Sequence, residues 1–227
     1  MDVYFHRWLF LMNESIQPSI FLRLSYSTGV SQCATISKCT LWRIKRCCLS
    51  FKLTHFRAGY NTIARYDLET RTGTAQLSIE NSLHRGSQNL FCTGYNYYDL
   101  AVDENGLWVV YAYQEGMMTA ALPDTLMVAK LEPNYLDIEK TWNVTVTRND
   151  YCNSFIAHGI LYLLDSATDK NTQFSFVYDL YSHTSIDISL PFINVFGKNQ
   201  MLAYGSSKAI ILAWDAGRII SYPILAA

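Results

Sequence analysis

Tyr98-Asp99-Leu100-Ala101-Val102-Asp103-Glu104-Asn105-Gly106-Leu107-Trp108-Val109-Val110-Tyr111 reads as two β-strands joined by a tight turn. Asn105-Gly106 supplies the positive φ angles that a two-residue hairpin turn requires. Leu107 to Tyr111 is a continuous apolar run with β-branched and aromatic residues, the composition of a strand covered on both faces. Asp99 interrupts the first strand. A carboxylate in that position is paired, hydrogen-bonded or bound to a cation, or else it faces water on an edge strand.

Outward from this hairpin the same grammar continues. Apolar runs fall at about 62–67, 75–79, 98–103, 107–114, 119–131, 137–146, 155–164, 173–180, 184–190, 199–204, 209–214 and 217–223. Turn-forming residues separate them, among them Pro133-Asn134, Arg148-Asn149-Asp150, Gly205-Ser206-Ser207 and Asp215-Ala216-Gly217. Short strands at even spacing predict an all-β sandwich, barrel or propeller, and the pattern alone does not choose among them.

Composition agrees. Half of the 227 residues are apolar, 16% are charged and 14% are aromatic. That supports a sizeable core and excludes a globally disordered chain. A net charge of -1 removes the electrostatic argument for nucleic acid or an anionic membrane surface.

The first 56 residues differ. Acidic residues are sparse there and Arg/Lys frequent, so a boundary is expected near Thr54 to Gly59, with 1–56 irregular or carrying a short helix from Pro18. The run Trp8 to Met12 is too short for a membrane span of ~20 residues, and no small-residue cleavage site follows it. Direct membrane insertion is not expected.

Six cysteines allow disulfides without specifying pairs. Five residues lie between Cys33 and Cys39, Cys47 and Cys48 are adjacent, and no C-x-x-C pair suggests zinc. Cys92 and Cys152 are expected as buried free thiols. Sequons at Asn13-Glu14-Ser15 and Asn143-Val144-Thr145 are candidate glycosylation sites if they face outward on a secreted chain.

Catalytic groups are hard to find. No Gly-x-Ser-x-Gly motif exists, and the five histidines have no metal-ligand spacing. Asp99 and Asp103 share a strand face but lie ~13 Å apart along it, beyond glycosidase separations of ~5–9.5 Å. Asp103 is expected to tighten the hairpin turn. Tyr95, Tyr97 and Tyr98 are expected to pack between sheets rather than to form a binding patch.

The order of short motifs adds a resemblance. Tyr66-Asp67-Leu68-Glu69-Thr70, the quoted hairpin, Leu131-Glu132-Pro133 with Leu136…Trp142, Asn153-Ser154-Phe155-Ile156 with Gly159-Ile160-Leu161-Tyr162, and Met201-Leu202-Ala203-Tyr204 with Leu212-Ala213-Trp214-Asp215 together resemble the olfactomedin domain, over roughly Arg57 to Ile224. The resemblance implies a five-bladed β-propeller over 57–227. With about twelve strands for about three blades and part of a fourth, it implies an N-terminally incomplete one, the first blade missing or replaced. An unclosed ring would expose an apolar flank near Ile219 to Ile224.

The resemblance also implies a calcium ion in the central channel, held at positions matching Asp99, Asn153, the carbonyls of Ser154 and Leu202, and Ala203. The last departs from the family's usual Asp, so the site is expected to be weakened. The family's long-range disulfide is not expected, because His158 occupies the position of its second cysteine. The implied role is a non-enzymatic, extracellular or secreted module that binds extracellular or cell-surface proteins in adhesion or signalling. The alternatives are a truncated or divergent fragment without independent activity, or a propeller hydrolase using channel carboxylates.

Overall fold

The computed structural model describes residues 9–13, 16–25, 31–35, 53–57, 62–67, 70–83, 89–92, 97–113 and 125–224, with side chains from residue 62 onward apart from that of Lys208. Two compact units divide the chain, Met1–Trp42 and Arg43–Ala227.

The first unit contains β1 (Leu9–Asn13), β2 (Ile16–Ser25) and β3 (Ser31–Thr35), paired antiparallel in that order. The segment after Ile16 is therefore a strand and not the short helix expected there. Phe21 to Ser25 pair with Ser31 to Thr35 as a hairpin, a pairing that the residues' own propensities do not reveal. Pro18 is accommodated because the β1–β2 register shifts between Leu11 and Asn13, beyond the part of β2 that β3 covers.

The second unit is a series of antiparallel meanders. β4 (Leu53–Arg57), β5 (Thr62–Asp67) and β6 (Thr72–Ser78) form one sheet. β7 (Tyr98–Asp103), β8 (Gly106–Ala112), β9 (Thr125–Leu131) and β10 (Ile138–Thr145) form the next. The third contains β11 (Asn153–Ala157), β12 (Ile160–Leu164), β13 (Asn171–Asp179) and β14 (Thr184–Ile193). The fourth contains β15 (Asn199–Gly205), β16 (Ile210–Asp215) and β17 (Arg218–Pro223). In each sheet every strand pairs with its successor, which is the plan of a propeller blade.

The apolar run 155–164 is two strands, β11 and β12, separated by a turn at His158-Gly159. Both turn residues have positive φ, 53° and 75°. The reading of an uninterrupted run failed because His158 carries the φ that glycine or asparagine usually supplies.

Strand β8 explains how the sheets stack. Its side chains alternate, as a pleated strand requires. Trp108, Val110 and Ala112 face one core with Ile156, Leu161, Leu163 and Phe176 of the third sheet. Leu107, Val109 and Tyr111 face another with Ile63, Ala75 and Leu77 of the first sheet in this unit. Trp108 is fully buried and lies 5.5 Å from the Trp142 ring. Side chains of that class contribute about 1.5–3 kcal/mol each on burial. A third core joins Phe155, Leu164, Phe174 and Phe192 to Leu202, Ile211 and Ala213 of the last sheet. The two middle sheets are thus each clamped between their neighbours in chain order, and β7, β11 and β15, the first strands of their sheets, pack against one another.

The flank of β17 is exposed as expected, with Ile219 and Ile224 about half accessible. Tyr98 is buried with its ring edge-on to Tyr111, and Tyr97 packs against two of the cores, which is the packing reading. Tyr95, Cys39, Cys47 and Cys48 lie outside the described residues.

Cys92 and Cys152 are not free thiols. They form a disulfide across 60 residues, with Cα atoms 4.6 Å apart. A backbone bond brings them together, Cys92 N–H donating to the Tyr151 carbonyl at 2.9 Å, while Cys152 N–H is held on the third sheet by the Leu164 carbonyl at 2.7 Å. The expectation failed because spacing carries no pairing information and Cys92 lies outside the matched motifs.

Candidate functional site

Three of the expected site residues converge where β7 and β11 pack together. Asp99 on β7 and Asn153 and Ser154 on β11 are each no more than 1% exposed. Ser154 Oγ donates to Asp99 Oδ2 at 2.6 Å, joining two sheets across 55 residues of sequence. The Ser154 backbone N–H donates to Asn153 Oδ1 at 3.0 Å. Leu202 lies on β15, which packs against both strands, and its side chain belongs to the third core. Ala203 follows on β15, half-buried, and offers no side-chain oxygen.

The polar system extends beyond what the motifs suggested. Asn153 Nδ2 donates to Asn199 Oδ1 at 3.0 Å, and Asn199 Nδ2 donates to Asn194 Oδ1 at 3.0 Å. Asn194 Nδ2 ends the series on the carbonyls of Ser166 and Asp169, at 2.9 and 2.8 Å. Asn194 and Asn199 are fully buried, or nearly so. A signal was present in the sequence, since asparagine is disfavoured in strands and Asn199 opens an apolar one.

The donor set does not fit calcium as the resemblance drew it. Calcium takes 6–8 oxygens and relies on carboxylate charge for affinity. Here Asp99 is the one carboxylate among the expected positions, Ala203 contributes nothing, and both ends of the Asn153 amide already serve protein hydrogen bonds. Among the described residues no group of three or more His, Cys, Asp or Glu forms a metal cluster.

The remaining carboxylates organise turns. Asp103 is buried and accepts from Trp108 Nε1 at 2.7 Å, Asn105 N–H at 2.9 Å and Gly159 N–H at 2.6 Å. It tightens its own hairpin, as read from the sequence, and it also ties that hairpin to the β11–β12 turn. Asp215 accepts from the Phe196 and Lys198 N–H groups, each at 2.7 Å, and shapes the β14–β15 connection. Neither can approach a substrate while so engaged.

A second polar group stands at the turn end of the same three strands. Tyr204 Oη donates to Glu104 Oε1 at 2.8 Å and lies 3.2 Å from His158 Nε2. His158 Nδ1 lies 3.2 Å from Glu104 Oε2. Burial first, then the hydrogen bond and charge of Glu104, push the Tyr204 phenol up to about 12.

Comparison with known proteins agrees with this architecture. The family model for the olfactomedin-like domain matches residues 53–227. Rabbit myocilin (Oryctolagus cuniculus) is 32% identical over 167 residues, 74% of this chain and 33% of the relative. Bovine myocilin (Bos taurus) is 33% identical over 171 residues, 75% of this chain and 34% of the relative. Human myocilin is 32% identical over 167 residues, 74% and 32% of the two chains. This chain thus spans about a third of the length of these relatives. Among solved structures, the β-propeller domain of Cps50 (Swd1) from Myceliophthora thermophila superposes with a TM-score of 0.50 at 10% identity, covering 98% of this chain and 67% of that one. At that identity it bears on the fold alone, and the fold is a propeller.

Proposed function

This chain belongs to the olfactomedin-like domain family, and on that premise we propose that it acts as a non-enzymatic, extracellular protein-interaction module in adhesion or cell-surface signalling. The observation that carries the reading is the Cys92–Cys152 disulfide within a domain of this family. Such bonds persist in oxidising compartments. The buried, fully engaged state of Asp103 and Asp215, and the 1% exposure of Asp99, argue against a channel hydrolase.

Two surface features suit this role. Asn143 and Thr145 point outward from β10, the end strand of its sheet, so the sequon at Asn143 is presented for N-glycosylation. Asn13 lies in β1, outside the described side chains. Exposed Ile193, Val195, Phe196 and Ile219 provide apolar area of the kind that marks protein contacts. Tyr222 Oη donates to the Ile193 carbonyl at 2.8 Å and ties β17 to the end of β14.

The chain is to be expressed behind an added secretion signal in mammalian cells. Secretion of a disulfide-bonded species, with a glycosidase-sensitive mass lost in Asn143→Gln and saturable binding to protease-sensitive cell-surface sites, supports the proposal. A secreted, folded chain without saturable binding refutes it. The exposed flank of β17 favours one alternative, a divergent fragment without independent activity. Retention as aggregate despite an intact disulfide supports that reading instead.

A further inference from the structure

Two positions at the centre of this domain depart together from a cation-bound design. Position 203, expected to bring a carboxylate, is Ala203, and position 154, expected to offer a carbonyl, also brings a hydroxyl. That hydroxyl donates to Asp99 Oδ2 at 2.6 Å. A donor hydrogen therefore occupies one of the two oxygens of the carboxylate that a cation-bound design would use.

We infer that this chain has exchanged a cation-centred propeller axis for a hydrogen-bonded one, so that the Asp99–Ser154 bond and the Asn153–Asn199–Asn194 relay join its sheets without divalent metal.

Charge supports the exchange. A divalent cation held by one carboxylate leaves a net positive charge in a region that is at most 1% exposed, which is costly to bury. Satisfaction supports it as well. Asn153 and Asn199 use both amide ends, every amide donates in the same direction, and the series finishes on two backbone carbonyls. A buried polar series is stabilising when its members are satisfied, as these three amides are. Reach is the third argument. The relay begins on β7, passes through β11 and β15, and ends in the 166–170 loop by way of the β14–β15 connection, so it spans the contacts a central ion would bridge. This inference rests on family membership and on the described side chains, not on the proposed binding role.

Thermal unfolding of the full chain, in millimolar calcium and in excess chelator, tests it. The two midpoints are expected to agree within about 1 °C, because a ligand that does not bind the native state adds no stability. A saturable rise of several degrees in the wild-type chain overturns the inference. Ala203→Asp restores the second carboxylate and is expected to gain about 3 °C or more once calcium exceeds ten times its dissociation constant. A folded Ala203→Asp chain without calcium response also overturns it. Should that variant not fold, Ser154→Ala provides a second reading. Its midpoint is expected to fall equally with calcium and with chelator, and an unchanged midpoint counts against the relay.

Discussion

Replacing Asp103 by alanine removes one carboxylate and strands donors in two sheets. Trp108 Nε1 loses a 2.7 Å acceptor and Gly159 N–H a 2.6 Å acceptor, both buried. Asn105 N–H, at the part-buried turn, regains water. A buried donor left without a partner costs about 1–3 kcal/mol, so two cost about 2–6 kcal/mol. That is a large share of the ~5–15 kcal/mol that holds a domain folded. With a urea slope of ~2 kcal/mol per molar, the midpoint falls by about 1–3 M. Tryptophan fluorescence reads the transition, since Trp108 is both buried and bonded to the deleted group. Asp103→Asn keeps one carbonyl oxygen but turns an NH2 group toward a donor, and its loss is expected to be intermediate. Amide exchange at Gly159 should accelerate in both variants. An alanine variant within about 0.5 kcal/mol of the parent would refute the claim that this carboxylate ties two sheets.

Other consequences follow from the same geometry. Replacing Cys92 and Cys152 by serine frees a loop with a sequence separation of 60, which the chain-entropy relation values at roughly 4 kcal/mol; a midpoint drop of roughly 8–16 °C is expected, and none would mean that the bond does not form. Gly159→Ala places a Cβ against the Tyr181 ring at φ 75°, so it should destabilise by more than about 1 kcal/mol in urea unfolding, and a neutral result would contradict the turn geometry. Tyr204 has a phenol raised in the folded state to about 12 from an ordinary value of 10.0. Its contribution to stability is therefore complete below the unfolded value and is lost as pH rises through the folded one. Tyrosinate absorbance should show a late-titrating group that disappears in Tyr204→Phe.

The strand plan was legible because it rests on period and turn chemistry, both local. Leu107 to Tyr111 announced a doubly covered strand, and its alternate side chains enter two different cores. Asn105-Gly106 marked the hairpin, but the turn itself falls one residue earlier, at Glu104-Asn105, with Gly106 paired to Asp103 and Gly106, not Asn105, at positive φ; Asp103 was rightly assigned to it. What depended on tertiary pairing was not legible. The Gly159 end of the Asp103 interaction, the Cys92–Cys152 bond and the Asn153–Asn199–Asn194 relay join residues that no local pattern relates. His158 concealed a turn because a residue with a side chain, at φ 53°, precedes Gly159 in the tight connection between β11 and β12, where the sequence shows only one glycine. Of the site, Asp99, Asn153 and Ser154 came from the motif resemblance, whereas Asn194 and Asn199 required coordinates.

At the centre of this olfactomedin-like propeller, β7 and β11, the first strands of two adjacent sheets, are joined by a buried hydrogen bond from Ser154 to Asp99. A double-mutant cycle of Ser154→Ala and Asp99→Ala, read by urea unfolding, tests it directly. Hydrogen bonds to charged groups contribute about 1.5–3 kcal/mol, so a coupling energy above about 1 kcal/mol is predicted. Additivity within about 0.3–0.5 kcal/mol would contradict the account.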